Sequence, residues 1–214
     1  NPSAIKRISL NRPWLIVCLT GLCAGLSSNL VASGLPDALP TRTELATQIV
    51  IDGAIDEPAW QGVSAFSGFK VISPDTLADA PLATNIRMFY TERGLYFSAL
   101  MTQPPETLIE RLSARDRFVN RDRISLSVDT SGTGLYAYWF AVNLGGSLMD
   151  GTILPERQYS SNWDGPWRGA SQRTDAGWSV EMMLPWSMMT LPASDSGDRD
   201  IGIYIQRAAA SIDE

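Results

Sequence analysis

Short runs of alternating apolar and polar residues, separated by Gly, Asp and Ser, recur from residue 85 to residue 207. In the first run, Ile86, Met88 and Tyr90 alternate with polar neighbours, and a second run follows Gly94. A period of two residues is typical of β-strands, so this pair predicts a hairpin in which Gly94 supplies the positive φ of a tight turn. The later runs are at 124–130, 136–144, 148–154, 167–174, 178–184 and 201–207. Many short strands at this spacing predict an all-β protein, built as an antiparallel β-sandwich of the jelly-roll kind.

Helix signals are weak and brief. They are confined to 57–62, 106–114 and 186–189, and each stretch is no longer than a few turns. We therefore expect one or two short helices at the edges of the sandwich and no helical layer.

The N-terminal region has the pattern of a secretory signal. Lys6, Arg7 and Arg12 form a basic start, and residues 14–26 follow without a charge. This run is shorter than the roughly 20 apolar residues of a membrane span, and small residues follow it, which is typical of a cleaved signal peptide. We expect cleavage near residue 33, and a retained short anchor is the alternative.

The rest of the chain divides by composition. Residues 34–47 contain two prolines and no periodic pattern, which predicts a flexible leader. The sandwich is expected over 48–207, and 208–214 is expected to begin a linker to a further C-terminal region.

Composition removes several kinds of chemistry. The chain has no His, and its two Cys, Cys18 and Cys23, both lie in the predicted signal. Ser-His-Asp triads, His-ligated zinc and thiol nucleophiles are therefore excluded from the predicted domain. Loss of the signal would change the net charge from −6 to −9, and we expect no nucleic-acid partner because binding to phosphates requires cations.

One tryptophan stands apart from the others. Trp163 lies in a polar, turn-rich segment between Asn162 and Asp164, where no neighbour in sequence would cover the ring. An exposed ring beside polar side chains suits a sugar, whose C–H groups stack while its hydroxyls form hydrogen bonds. We therefore predict a carbohydrate site at Trp163, Asn162 and Asp164, with Trp167 and Arg121 as further candidates. The tryptophans expected to fill the core are Trp60, Trp139, Trp178 and Trp186.

Carboxylates next to turns leave two alternatives open. Asp129, Asp150, Asp164 and Glu181 could supply the pair of acids that glycoside hydrolysis needs, but acids at strand ends usually bond their own turn. Asp129 and Asp150 are also candidates for a metal site, since Ca²⁺ prefers oxygen ligands. No spaced calcium-loop motif is present, and apart from such a structural Ca²⁺ we expect no cofactor.

The segment Ile51-Asp52-Gly53-Ala54-Ile55-Asp56-Glu57-Pro58-Ala59-Trp60 resembles the opening of the family 9 carbohydrate-binding modules. The resemblance continues in order through 84–97, 121–130, 140–151 and 163–186, and it covers about residues 49–207. It implies a β-sandwich that binds a polysaccharide or oligosaccharide, often with structural calcium and often attached to a glycoside hydrolase. The chain is most similar to a branch in which the module precedes an outer-membrane β-barrel.

Three functions follow as hypotheses. The first is a non-catalytic carbohydrate-binding domain, exported to the periplasm or outer membrane of a Gram-negative bacterium and linked to carbohydrate catabolism through an attached hydrolase. The second is a structural accessory domain of an outer-membrane β-barrel that binds no sugar. The third is an O-glycosyl hydrolase with paired carboxylates, which ranks last.

Overall fold

The computed structural model describes residues 7–11, 28–31, 39–40 and 49–211. These residues form thirteen strands: β1 (Arg7–Asn11), β2 (Ser28–Val31), β3 (Lys70–Ile72), β4 (Asp75–Asp79), β5 (Thr84–Tyr90), β6 (Gly94–Thr102), β7 (Arg123–Asp129), β8 (Ala137–Asn143), β9 (Leu148–Leu154), β10 (Gln158–Ser160), β11 (Arg168–Thr174), β12 (Gly177–Pro185) and β13 (Asp198–Ala209). The predicted all-β class is confirmed. The expected short helices are reduced to three-residue 3-10 turns, such as Pro58–Trp60 and Trp186–Met188.

The strands form two sheets. The large sheet has the order β10-β9-β8-β7-β13-β2-β3-β4, with β1 added in parallel along β13, and the small sheet has the order β11-β12-β6-β5. All other neighbours are antiparallel. Within the described ranges, no helix has the length and apolar character that crossing a membrane requires.

The two N-terminal strands fall inside the predicted signal. Backbone pairing joins β1 to β13 over 198–202 and β2 to β13 over 206–209. Most of residues 1–33, nearly all of 34–47, and 212–214 lie outside the described residues, so the signal, the leader and the linker stay predictions. β13 itself continues to Ala209, two residues beyond the expected end of the sandwich.

The core lies between the two sheets. Apolar residues at every second position of β7, β8 and β13 face it, as do those of β5, β6 and β12 in the small sheet. Trp178 is fully buried there, and Trp186 is buried with its Nε1 donating to the carbonyl oxygen of Thr91 at 2.9 Å. Both are core residues, as predicted.

The outer face of the small sheet is also covered. Segment 49–63 lies across it and places Trp60 against Phe89, with ring centroids 4.8 Å apart. Phe89 in turn stacks on Tyr96 at 4.9 Å. The outer face of the small sheet therefore combines these rings with the buried polar residues Ser98, Ser179 and Glu181, and segment 49–63 covers part of it.

The hairpin of β5 and β6 forms as predicted, but the expected reason for Gly94 is wrong. Gly94 is not one of the glycines with positive φ. Instead, a Cβ at this position would lie 2.3 Å from the carbonyl oxygen of Leu184 on β12. Gly94 is required because two backbones approach closely, and the sequence around the turn contains no sign of that contact.

A buried arginine ties the two sheets together. Arg207 on β13 donates from Nη1 to Thr84 at 2.9 Å and from Nη2 to Gln103 Oε1 at 2.8 Å. Gln103 then donates to Asp122 Oδ2 at 2.9 Å. Burial lowers the pKa of Arg207 to about 10 and raises the pKa of Asp122. The hydrogen bonds offset the cost of burying these two charged groups.

We expect Arg207→Met to destabilise the domain by about 3 to 5 kcal/mol, because it leaves the buried acceptors on Thr84 and Gln103 without their donor and Asp122 without a nearby positive charge. The matched control is Arg173→Met. Arg173 contacts Glu110 at 2.7 Å with both side chains about half exposed, so its loss should cost less than about 1 kcal/mol. Urea unfolding measures both variants, and an equal cost would contradict the structural role of Arg207.

Candidate functional site

The residues of the predicted sugar site do not form an open surface. Trp163 is half-buried, with its ring centroid 4.9 Å from that of Tyr138 and 5.9 Å from that of Phe140. The backbone of Gly165 lies so close that a Cβ there would be 2.5 Å from the Trp163 ring. Side chains from β8 therefore cover part of the ring, which was expected to be uncovered, and a sugar site at Trp163 stays a prediction.

Trp167 and Arg121 are buried. Trp167 is 5% exposed and meets Phe140 edge to face at 5.3 Å, so it belongs to the core. Arg121 is 3% exposed and donates to the carbonyl oxygens of Arg111 at 2.6 Å and Arg117 at 3.1 Å. The Arg121 guanidinium thus stabilises the loop before β7, and burial lowers the pKa of Arg121. Neither side chain is placed to contact a sugar.

Asn162 and Asp164 remain exposed at the edge of this region. Asp164 contacts Arg115 at 2.8 Å, and the same guanidinium reaches the buried Asp150 at 2.5 Å. The Arg115 guanidinium carbon also lies 6.0 Å from the Trp167 ring centroid. Arg115 therefore fastens the 162–167 segment to β9.

The two proposed metal ligands are bound by protein donors. Asp150 accepts from Arg115 and from the backbone N–H of Gly165 at 2.8 Å. Asp129 accepts at Oδ1 from the backbone N–H groups of Ser131 and Gly132, and at Oδ2 from that of Gly134. Both carboxylates thus hold loops of the protein itself, and calcium at Asp129 or Asp150 stays a prediction.

One acidic trio does form within the part of the chain that the structure describes. Oxygen atoms of Asp52, Glu57 and Glu181 lie within 4.8 Å of one another. However, Glu181 accepts at Oε1 from Trp60 Nε1 at 2.7 Å and at Oε2 from the backbone N–H of Gly53 at 3.2 Å. Glu181 therefore anchors segment 49–63 to the small sheet, and both of its carboxylate oxygens already accept hydrogen bonds.

A groove opens instead on the outer face of the large sheet. It has a volume of about 590 Å³, within the range typical of ligand pockets. We call it the outer groove. It is lined by residues of β3, β7, β8, β9, β10 and β13 and by the loops that precede β4, β8 and β10, and its main side chains are Ser127, Tyr136, Ile153, Arg157, Tyr159 and Tyr204.

The alternation of the strands shapes the floor of the outer groove. Ile201, Ile203 and Ile205 of β13 are in the core, so Gly202, Tyr204 and Gln206 lie on the opposite face. In the same way, the core residues of β7 and β8 leave Ser125, Ser127, Ala137 and Ala141 on that face. Small side chains on adjacent strands thus produce a depression between larger ones.

One rim of the outer groove depends on Asp129. Its carboxylate holds a turn in which Gly132 and Gly134 have φ values of 64° and 82°, a conformation that favours glycine. This turn places Leu135 and Tyr136 at the rim, where each residue has 57% of its surface exposed. Asp129 therefore positions the ring of Tyr136.

The other rim is the turn between β9 and β10. Glu156 and Arg157 have φ values of 61° and 59°, which costs a non-glycine residue roughly 1–2 kcal/mol. Tyr159 follows on β10, 60% exposed, with its ring edge to face against Trp139 at 5.8 Å. Trp139, which was expected to be buried, is half-buried and supports this rim. Strained backbone of this kind concentrates at functional sites.

Comparison with known proteins supports the architecture. No protein-family model and no curated protein matches the chain. Among solved structures, a family 9 carbohydrate-binding module from Caldicellulosiruptor kristjanssonii, in complex with cellotriose, is 12% identical, with 79% of this chain and 81% of that chain covered and a TM-score of 0.50. The fold is that of a family 9 carbohydrate-binding module.

A second structure has the same fold. It is a Bacteroides uniformis protein provisionally named as carbohydrate-binding, 11% identical, with 73% of this chain and 77% of that chain covered and a TM-score of 0.54. At such identities the likeness concerns the fold, which agrees with the family 9 resemblance of the sequence.

Sequence reasoning missed Tyr136, Tyr159 and Arg157. Tyr136 stands two residues after the Gly-rich turn 132–134, and Tyr159 follows Pro155 by four residues. An aromatic residue just after a turn was the available signal. The pairing of β8, β9 and β10 brings these residues to one face, and that pairing was not part of the prediction.

The anchor at Glu181 makes stability depend on pH. Burial raises the pKa of Glu181 to about 8, although the hydrogen bonds from Trp60 and the backbone oppose the shift. The folded state therefore keeps a proton that the unfolded state loses above its ordinary value of 4.5, and stability falls as pH rises from about 5 to 8. We therefore expect the melting temperature of the Glu181→Gln variant to fall less than that of the wild type between pH 5 and pH 8.

Melting curves at several pH values between 5 and 8 test this expectation. Glu110→Gln is the control, because that carboxylate is 42% exposed and contacts Arg173. Equal slopes for the wild type and Glu181→Gln would show that Glu181 is ionised in the folded state throughout this range.

Proposed function

We propose that this chain is a non-catalytic carbohydrate-binding domain and that the outer groove is its binding site. The observation that carries the proposal is the pair of exposed rings, Tyr136 and Tyr159, on opposite rims of a groove with a floor of small polar and apolar residues. Aromatic faces stack on the C–H groups of sugars, and nearby polar groups bond their hydroxyls. The family 9 fold and the cellotriose complex of the Caldicellulosiruptor module support the proposal.

The groove lacks the arrangement that glycoside hydrolysis needs. Two carboxylates, Asp129 and Glu156, line it. Hydrolysis requires one acid to donate a proton and another to act as base or nucleophile. Asp129 is 3% exposed and accepts several hydrogen bonds from its own turn. Its carboxylate therefore stabilises the backbone of that turn. This supports binding over a hydrolase function.

Export is part of the same proposal. The basic start and the apolar run before residue 27 support a cleaved signal, which would place the domain in the periplasm or at the outer membrane. Cleavage near residue 33 would remove β1 and β2 and free the edge of β13 that they cover. A linked hydrolase or an outer-membrane β-barrel would then be the partner in the same polypeptide.

Retention of the 214-residue chain on insoluble polysaccharides tests the function. We expect retention on at least one of cellulose, xylan, mannan and chitin, without release of reducing sugar. Since each ring contact contributes about 0.5–1.5 kcal/mol, Tyr136→Ala with Tyr159→Ala should weaken binding by roughly 5- to 150-fold.

The control is Phe118→Ala. Phe118 is 68% exposed, contacts Arg123 and does not line the groove. Its loss should leave retention unchanged. A chain that is retained on none of these polysaccharides, or that releases sugar from them, would contradict the proposal and favour the accessory-domain or hydrolase alternative.

A further inference from the structure

Resting on the proposed function, we further propose that the outer groove binds several consecutive residues of an uncharged glycan chain that lies across the strands, and that Arg157 contributes to its selection. The proposal names the substrate class for the groove. Its basis is the extent of the groove, the spacing of its rings and the charges at its rims.

The groove extends across the sheet. Tyr159 on β10 and Ile153 on β9 line it at one side, while Ser127 on β7 and Tyr204 on β13 line it at the other. Ile153 pairs with both Tyr159 and Ala137, and Ser127 pairs with Tyr204. Neighbouring strands are about 4.8 Å apart, so β10 and β13 are separated by about 19 Å. A groove of this extent is much longer than one sugar ring.

Aromatic rings are distributed along this length. Tyr159 stands at the β10 side, Tyr136 at the loop before β8, and Tyr204 on β13. A site for a single sugar unit would place its aromatic residues face to face around that unit. Rings at separate positions instead let successive sugar units each gain a contact, so affinity should rise with the number of units.

The charges of the groove disfavour an anionic chain. Two carboxylates, those of Glu156 and Asp129, and one guanidinium, that of Arg157, line the groove. The whole chain has 23 acidic and 17 basic residues, so its long-range potential repels polyanions. Uronate-rich polymers are therefore poor ligands, and uncharged glycans are favoured.

Arg157 is held at the rim by an unusual backbone. Both Glu156 and Arg157 are in the left-handed region, where asparagine or glycine would form the turn with less strain. From this turn the side chains of Glu156 and Arg157 line the groove. A guanidinium offers five N–H donors in a fixed plane, which suits the hydroxyl oxygens of an uncharged sugar.

Calorimetry of the 214-residue chain tests the proposal with cello-, xylo- and manno-oligosaccharides of one to four units, and with oligogalacturonates as the anionic comparison. We expect at least tenfold tighter binding of the best tetrasaccharide than of its monosaccharide, and weaker binding of every oligogalacturonate. Tyr159→Ala and Arg157→Ala should each weaken tetrasaccharide binding at least threefold. Phe118→Ala should not change it, and circular dichroism checks that each variant is folded.

The outcomes separate the inference from the function on which it rests. Equal affinity for one and four units, tighter binding of oligogalacturonates, or full affinity in Arg157→Ala would overturn the inference and leave carbohydrate binding intact. Loss of binding in Trp163→Ala, with Tyr159→Ala unaffected, would move the site to the 162–167 segment and overturn it as well. No binding of any sugar would defeat both proposals.

Discussion

The two faces of the central strands β7, β8 and β13 determine the rest of the molecule. One face is apolar at every second residue and packs against the small sheet to form the core. The other face carries small residues such as Ser127, Ala137 and Gly202 beside large ones such as Trp139 and Tyr204. Because the side chains of a strand alternate strictly, the same sequence positions that build the core also set the depth of the outer groove. A shift of one residue in the register would destroy both together.

The outer face of the small sheet is covered, whereas that of the large sheet is open, and this difference explains where a ligand can bind. Segment 49–63 covers the small sheet with Trp60, and Glu181 fixes that cover through the Trp60 indole and the Gly53 backbone. On the large sheet, the rings of Tyr136 and Tyr159 are more than half exposed. Arg207 forms buried hydrogen bonds that connect the two sheets, so the strands beneath the groove belong to a rigid core. Rigid walls lower the entropy lost on binding.

Much of the fold could be predicted from the sequence, because alternation is a local signal. The bounds of β9 match the predicted run, and those of β8, β11 and β12 lie within one residue of it at each end. The short strands β3, β4 and β10 were missed, since three to five residues give too little periodicity. The reason for Gly94 was also missed, because its close neighbour, Leu184, is 90 residues away along the chain.

The candidate site was harder to predict because it depends on contacts between strands. Trp163 has only polar neighbours in sequence, yet Tyr138 and Phe140 from another strand cover its ring. Conversely, Tyr136 and Tyr159 are 23 positions apart, and the pairing of β8, β9 and β10 brings both to the same groove. Local composition identified carbohydrate binding as a hypothesis, but the segment it indicated, 162–167, differs from the outer groove that we propose as the site.

The central claim is that the outer face of the large sheet recognises carbohydrate. Amide chemical-shift changes, measured during titration with an uncharged tetrasaccharide, test it most directly because they report the location of contact. The account predicts the largest changes at 127–137, 153–159 and 202–206, with little change at 49–63. Changes centred on 160–167, or an absence of changes at the three groove segments under saturating sugar, would contradict it.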